Sequence, residues 1–428
     1  MAEQSKISVV TLGCPKNLVD SEYLIGQIQK VNLQWSTQVD DAETIVINTC
    51  GFIKDAKKES IDAIMEAVEK KNCGEVKKII VMGCLTERFK DELMEGIPEV
   101  DSFFGTNQLP EVLKSLHINY RKELLGERVI TTPSHYAYLK IAEGCENPCS
   151  FCAIPLMRGR YQSRPLEEIV KEARILADNG VRELIVIAQD STYYGFDIYG
   201  ERKLATLLEA LNQIEGIEWI RLMYAYPAKF PLDLITVFQK YPKICRYLDI
   251  PIQHISENVL KSMQRGISQR ATRELLVRLK DEIPGIALRT TLIVGYPSET
   301  EDDFRELCDF VKEMRFHRLG VFQYSQEEGT EAFDLGDPIP IAVKEERQTK
   351  IMEIQKEISE QYNEALIQTN VKVIIDSKDG DYFIGRTEWD APEIDQEVLV
   401  RTHQNLKLGS LYTVTITDAM EYDLLASI

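Results

Sequence analysis

Cys145, Cys149 and Cys152 fall in the run Glu-Gly-Cys-Glu-Asn-Pro-Cys-Ser-Phe-Cys, residues 143 to 152, where three thiols are spaced Cys-x3-Cys-x2-Cys. A [4Fe-4S] cluster normally takes four cysteine ligands, so a compact loop offering three leaves one iron free for a small molecule. Phe151, an aromatic residue, stands just before the last thiol. The plainer alternative is three buried or zinc-bound cysteines. A second set, Cys14, Cys50 and Cys84, has no compact spacing, but each lies within two residues of the end of an apolar, strand-like run. In an open parallel sheet those carboxyl ends share one edge, where ligands bind, so residues some 35 apart in sequence are expected to meet. Each is flanked by glycine, proline or both, as suits backbone that approaches a bulky inorganic group. A zinc site wants a fourth protein ligand, and the first histidine in the chain is His117; buried structural cysteines remain the competing reading. Cys73 precedes its strand and belongs at the opposite sheet edge, whereas Cys245 and Cys308 sit in apolar surroundings typical of core.

The elements that must position these thiols divide the chain in three. Runs at Ile7 to Leu12, Thr44 to Asn48 and Lys78 to Met82 read as strands alternating with helical periods, which predicts an N-terminal open parallel α/β domain over residues 1–125. Six further strand-like runs begin at Ala137, Glu183, Trp219, Tyr247, Leu288 and Leu319, with helical patterns between them. They predict a central partial (β/α)6 barrel over residues 131–340, with the cysteine loop after its first strand at the carboxyl-end mouth. The charged helical run at 341–368 reads as a solvated amphipathic connector. From residue 369 to 428 short alternating strands around a Lys-Asp-Gly-Asp turn predict a small antiparallel β-barrel.

Composition narrows the class. The 428 residues are 44% hydrophobic and 28% charged, as in a soluble globular protein of several domains, and no run approaches a membrane-spanning length. The opening Met-Ala-Glu-Gln-Ser-Lys lacks the ordered regions of a secretory signal, so a cytoplasmic location is expected. Nine cysteines, an odd number, suit metal or redox chemistry better than a disulfide framework there. A net charge of −19 opposes general nucleic-acid binding and favours a basic partner.

With these residues in view, two resemblances emerge. The loop with Phe151 resembles the signature of radical S-adenosylmethionine enzymes. Leu-Gly-Cys-Pro-Lys-Asn at 12–17, Asp20-Ser-Glu22, Asn-Thr-Cys-Gly at 48–51 and Gly83-Cys-Leu85 resemble the N-terminal domain of methylthiotransferases, and the segment from Val371, with Ile-Gly-Arg-Thr at 384–387, is similar to a TRAM domain. The Cys-Pro-Lys-Asn form resembles the branch that methylthiolates an aspartate of a small-subunit ribosomal protein. The resemblance implies two [4Fe-4S] clusters, an auxiliary one on Cys14, Cys50 and Cys84 and a radical-generating one on Cys145, Cys149 and Cys152. It also implies S-adenosylmethionine as both radical source and methyl donor, an external one-electron donor and a sulfur source.

Fainter candidates follow from the same frame. The segments with Gln189 and Gln253 end the second and fourth barrel strands, and these two with Phe151 and Arg289 can either bind S-adenosylmethionine or satisfy loop backbone. Gly295 can give the adenine close access or make a turn, and His254 can touch substrate or cap a loop. From Val371 five basic residues stand against eleven acidic ones, which suits a basic ribosomal protein or the assembled subunit better than tRNA. The alternatives are the same chemistry on a tRNA adenosine, a non-catalytic iron-sulfur electron carrier, or a zinc-binding structural module.

Overall fold

The computed structural model describes residues 6–38, 42–121 and 126–428. The polar opening segment 1–5 and the expected domain end at residue 125 lie outside them. In the first unit, β1 (Ile7–Thr11), α1 (Pro15–Gln29), β2 (Trp35–Ser36), β3 (Thr44–Thr49), α2 (Lys54–Asn72), β4 (Lys78–Gly83), α3 (Cys84–Gly96), β5 (Ser102–Phe104) and α4 (Leu109–Ser115) follow in order. Every strand pairing is parallel, in the order β2-β1-β3-β4-β5. All six residues of β3 are buried, as a central strand covered on both faces requires. The two edge strands were not visible as sequence runs, being two and three residues long. The order in which successive strands are added reverses between β1 and β3, the switch point at which such sheets bind ligands.

The second unit contains β6 (Tyr136–Lys140), a short antiparallel pair of β7 (Ala142–Glu143) and β8 (Gln162–Ser163), and between these two α5 (Ile154–Arg158). It continues with α6 (Leu166–Asp178), β9 (Glu183–Ile187), α7 (Phe196–Tyr199), α8 (Leu204–Asn212), β10 (Trp219–Leu222), α9 (Asp233–Lys240), β11 (Ile244–Asp249), α10 (Glu257–Ser262), α11 (Gln269–Glu282), β12 (Ala287–Val294), α12 (Glu301–Met314), β13 (Arg318–Gln323) and α13 (Ile341–Glu364). The strands form one parallel six-stranded sheet, β6-β9-β10-β11-β12-β13, with open ends. Alternate residues such as Leu139, Val186, Leu222 and Leu288 pack on the helices. The opposite face, with Tyr138, Ile187, Trp219 and Tyr247, would be an unfilled trough on its own. Val19 of α1 and Ile374 and Ala391 from the C-terminal unit pack into it, so the flanking units complete a core that six strands cannot close.

Helix α13 differs from its expectation as a solvated connector. Ile351, Ile354 and Ile358 join the main core, Gln355 donates to the Phe316 carbonyl at 2.9 Å, and Lys344 is buried against Tyr324. Its many charges concealed a narrow apolar stripe at helical spacing. The C-terminal unit is a closed five-stranded barrel, β14 (Asn370–Asp379), β15 (Tyr382–Arg386), β16 (Val398–Arg401), β17 (Leu411–Ala419) and β18 (Leu424–Ser427), antiparallel except for the β16–β18 pair.

The acidity of that last unit is partly internal. Asp390 pairs with Arg318 and Asp395 with Arg289 of the central sheet, while Asp376 is held by His135 and by Arg386. Asp379, Asp381, Glu393, Glu397, Asp418 and Glu421 remain exposed, against exposed Lys372, Lys378, Arg401 and Lys407. The surface is therefore much less acidic than the residue count suggested. Among the described residues no helix is long and apolar enough to cross a membrane.

Candidate active site

Both cysteine sets open into one cavity of about 340 Å³, lined by Cys14, Cys50 and Cys84 from the first unit and by Cys145, Cys149 and Cys152 from the second. That is the size range of a small-molecule site. On the first side, Asn17 ties the strand ends together, its amide donating to the Leu12 carbonyl at 2.8 Å and the Thr49 carbonyl at 3.0 Å. Ser60 brackets Cys50, accepting from its N–H at 3.0 Å and donating to its carbonyl at 2.9 Å. The adjacent glycines serve loop-to-loop contact. A Cβ on Gly13, whose φ is +84°, would lie 2.6 Å from the Cys50 Cβ, and one on Gly51 would lie 2.8 Å from the Leu85 Cα. Glycine there brings the cysteine loops together, rather than leaving room for an inorganic group as the sequence suggested.

On the second side, the β7–β8 pair closes the base of the cysteine loop. Ser150 pins its middle, donating from its N–H to the Met263 carbonyl at 3.0 Å and from its hydroxyl to the Ser262 carbonyl at 2.8 Å. Two buried guanidinium groups reach thiol sulfurs: Arg265 Nη1 lies 3.2 Å from Cys149 Sγ and Arg158 Nε 3.2 Å from Cys84 Sγ. Arg158 also pairs with Asp20 at 2.6 Å and Glu143 at 3.2 Å and donates to Asn17, joining both units beneath the cavity. Two further contacts join the units: Arg88 pairs with Glu327 at 2.8 Å and Thr106 donates to the Met157 carbonyl at 2.8 Å.

Burial pushes the Cys145 thiol up to about 11 and those of Cys84 and Cys152 to about 12. The apo site therefore favours neutral thiols, and a positively charged centre is needed to hold them as thiolates. Among the described residues no three Cys, His, Asp or Glu side chains converge tightly enough for a single metal ion. Six cysteine sulfurs on one cavity, with no histidine among its lining residues, form the all-sulfur donor set that iron-sulfur clusters take.

Of the expected S-adenosylmethionine contacts, Phe151, Gln189 and Gln253 line the cavity. Gln189 donates to Glu143 at 2.7 Å, and its side-chain oxygen and that of Gln253 are buried without a partner among the described residues. Such acceptors await a donor. Arg289 is a correction: it is engaged by Asp249 at 2.8 Å and Asp395 at 3.3 Å and does not line the cavity. His254 is fully buried and accepts from the Ser256 N–H at 3.0 Å, the loop-capping role. Gly295 packs against Lys344 and donates to Glu299, so it makes a turn. Cys73 caps α2 and is exposed, and Cys245 and Cys308 are core. Sequence reasoning missed Lys16, Arg158, Tyr224, Tyr226 and Arg265 as lining residues; only Lys16 stood inside a quoted motif.

An open parallel β/α sheet carrying a three-cysteine loop at its mouth defines a radical S-adenosylmethionine enzyme, and residues 139–311 match the Radical SAM superfamily. That membership makes S-adenosylmethionine and a [4Fe-4S] cluster its cofactors. Residues 6–105 match the family described as uncharacterized protein family UPF0004 and residues 367–428 the TRAM domain. The ribosomal protein uS12 methylthiotransferase RimO of Christiangramia forsetii is 55% identical, over 99% of this chain and 94% of that protein. The RimO of Bacteroides thetaiotaomicron is 50% identical over 100% and 99%. The chain belongs to the RimO methylthiotransferase family. Among solved structures, the radical S-adenosylmethionine methyltransferase TsrM of Kitasatospora setae aligns with a TM-score of 0.55 at 14% identity, covering 77% of this chain and 74% of that one. The cobalamin-dependent radical enzyme OxsB aligns at 0.53 and 14%, covering 82% and 56%. At such identities these two report the fold alone.

Proposed function

We propose that the protein is a radical S-adenosylmethionine methylthiotransferase that replaces an unactivated C–H of an aspartate in ribosomal protein uS12 by a methylthio group. The supporting observation is the convergence of two cysteine triads from separate units on one cavity. Cys145, Cys149 and Cys152 are the ligands of the radical-generating cluster and Cys14, Cys50 and Cys84 those of an auxiliary one. When bound, these clusters and S-adenosylmethionine supply the electron, the hydrogen-atom abstraction, and the sulfur and methyl group, chemistry side chains lack. The chain positions and insulates them. Arg265 and Arg158 donate to Cys149 and Cys84 and offset thiolate charge. Gln189 and Gln253 offer their free oxygens to the ammonium of S-adenosylmethionine, with Phe151 as an apolar wall. Phe52 and Phe322, from opposite units, flank the cavity and limit water around a reactive intermediate. An external one-electron donor and a sulfur source complete the reaction in the cytoplasm. The domains divide at 1–125, 131–340 and 369–428, with the 341–368 helix packed on the second.

The test is anaerobic reconstitution, iron and sulfide analysis, and mass spectrometry of uS12 offered free and in the assembled subunit. An added methylthio group on an aspartate, with release of 5′-deoxyadenosine, is expected. Methylthiolation of tRNA with uS12 untouched would overturn the substrate. Intact clusters with no 5′-deoxyadenosine would indicate an electron carrier instead.

A further inference from the structure

We propose that Lys16 is the residue that recognises the carboxylate of the substrate aspartate and fixes its reactive carbon between the two cysteine triads. The assignment rests on the function proposed above and adds the group that selects an acidic side chain.

Lys16 occupies the first turn of α1, two residues after Cys14, and is 6% exposed. A cation there opposes the helix dipole, and a buried ammonium normally requires a carboxylate partner. No carboxylate stands within salt-bridge distance among the described residues: the Cys14 thiol is the first group that acts on the ammonium, and the acidic groups that follow it, Asp249 and Glu143, are engaged by Arg289, Lys140 and Arg158. Its ammonium instead rests 2.9 Å from the centre of the Tyr224 ring, an interaction that orients a cation without neutralising it. Tyr224 is itself held for this placement. Its backbone has φ +60°, a region non-glycine residues adopt at a cost, and its N–H donates to Asp249 at 3.0 Å while its carbonyl accepts from Ser191 at 2.9 Å.

The cavity wall explains what this arrangement is for. It contains three cations, Lys16, Arg158 and Arg265, and no aspartate or glutamate. Arg158 and Arg265 each donate to a cysteine sulfur, so their charge is directed at the metal-ligand sets. Lys16 makes no hydrogen bond to a sulfur among the described residues, although Cys14 is the charged neighbour that acts on it most, and it lines the same space as both triads. An anionic group of the substrate is the complement that this surplus positive charge selects. A carboxylate held there places the carbon next to it inside the cavity, where the hydrogen must be removed. A neutral amide at the same position leaves the ammonium without its counter-charge, which gives strong discrimination.

The test compares wild type, Lys16→Met and Lys16→Arg, all reconstituted with iron and sulfide, on uS12-derived substrates carrying aspartate or asparagine at the target position. Methionine keeps the length and the packing on Tyr224 while removing the charge. Lys16→Met is expected to raise KM for the aspartate substrate by about 10- to 100-fold, to weaken its equilibrium binding in parallel, and to lose most of the preference over asparagine. KM for S-adenosylmethionine should stay within about twofold of wild type on the same scale. Lys16→Arg should recover part of the affinity and preference. An unchanged aspartate-over-asparagine preference in Lys16→Met overturns the assignment, as does a rise in KM for S-adenosylmethionine equal to that for substrate, which would make Lys16 a cofactor contact. Wild type that releases 5′-deoxyadenosine yet modifies neither substrate nor the assembled subunit brings down the underlying function, and this assignment with it.

Discussion

Replacing Arg158 by methionine tests how the two units are held in register. The guanidinium is 2% exposed and bridges Asp20 and Asn17 of α1, Cys84 at the start of α3 and Glu143 of the central unit. Removing one partner from a buried ion pair costs about 3–5 kcal/mol, because the remaining charge is left uncompensated. Here Lys140 also contacts Asp20 and, at 2.8 Å, Glu143, so neither acid is orphaned and a loss near the lower bound, about 3 kcal/mol, is expected. Unfolding entropy of about 2.1 cal/mol/K per residue converts this into a temperature. If all 428 residues unfold together, the entropy is about 0.9 kcal/mol/K and the midpoint drops by about 3 °C. If a first unit of roughly 120 residues melts alone, the drop is about 12 °C, and the calorimetric trace should split because multidomain unfolding need not be two-state. Differential scanning calorimetry of the apo-protein under reducing conditions reads this without any contribution from iron. Combination with Asp20→Asn should be non-additive by at least about 1 kcal/mol, as expected of contacting groups. A midpoint within 1 °C of wild type, or strict additivity with Asp20→Asn, refutes the bridge.

Four further outcomes follow from the same geometry. Arg265→Met removes a cation 3.2 Å from Cys149 Sγ; at an effective dielectric of about 20 and a distance of roughly 5 Å that charge favours the added electron by about 3 kcal/mol, so the loop cluster's potential should fall by about 50–130 mV in a redox titration, and an unchanged midpoint removes the argument. Gly13→Ala forces a Cβ into Cys50 at a φ of +84° and should cost about half of the bound iron while the loop cluster keeps its spectroscopic signal; full iron content would contradict it. Ile351→Ala, on fully buried α13 core, should destabilise by about 2–5 kcal/mol, whereas a solvated connector would tolerate it in denaturant titrations. Burial, with Arg318, Lys280 and Arg315 nearby, pushes His317 down to about 3; since the unfolded chain takes up its proton near pH 6.5, His317 opposes folding progressively as pH falls from about 6.5 to about 3 and adds no slope below that. His317→Phe keeps the stack on Tyr362 and should flatten the stability profile in that window only, as read from denaturant midpoints against pH.

Much of the site was legible because its parts are local. Cys145, Cys149 and Cys152 sit within eight residues, and the loop they form needs only the β7–β8 pair and Ser150 to fix it. Cys14, Cys50 and Cys84 are far apart, but a parallel sheet places every strand's carboxyl end on one edge, so strand recognition alone predicted their meeting. The short edge strands escaped because two or three residues cannot display a period. Arg158 and Arg265 escaped for a different reason: whether an arginine meets a sulfur or water depends on tertiary packing that no local pattern records. Arg289 is the converse, correctly placed on a strand but drawn away from the cavity by Asp395, a residue over a hundred positions later.

The same non-local pairing changes what the C-terminal acidity means. Asp390 and Asp395 meet Arg318 and Arg289, Asp376 meets His135, and Arg386, itself held by Asp376 within the small barrel, reaches Glu183 at 2.8 Å, contacts that seat the barrel against the open sheet. These carboxylates hold the trough closed from below, as Val19 and its helix close it from the other side. Their charge is thus largely neutralised before any partner arrives, and long-range attraction depends on the residues still facing solvent. Under the proposed function, selection of an acidic target on a basic protein rests less on that surface than on the cavity, where three cations and no carboxylate line the wall. In that reading the outer surface sets how fast a partner is met, and the cations of the cavity wall set which side chain is accepted.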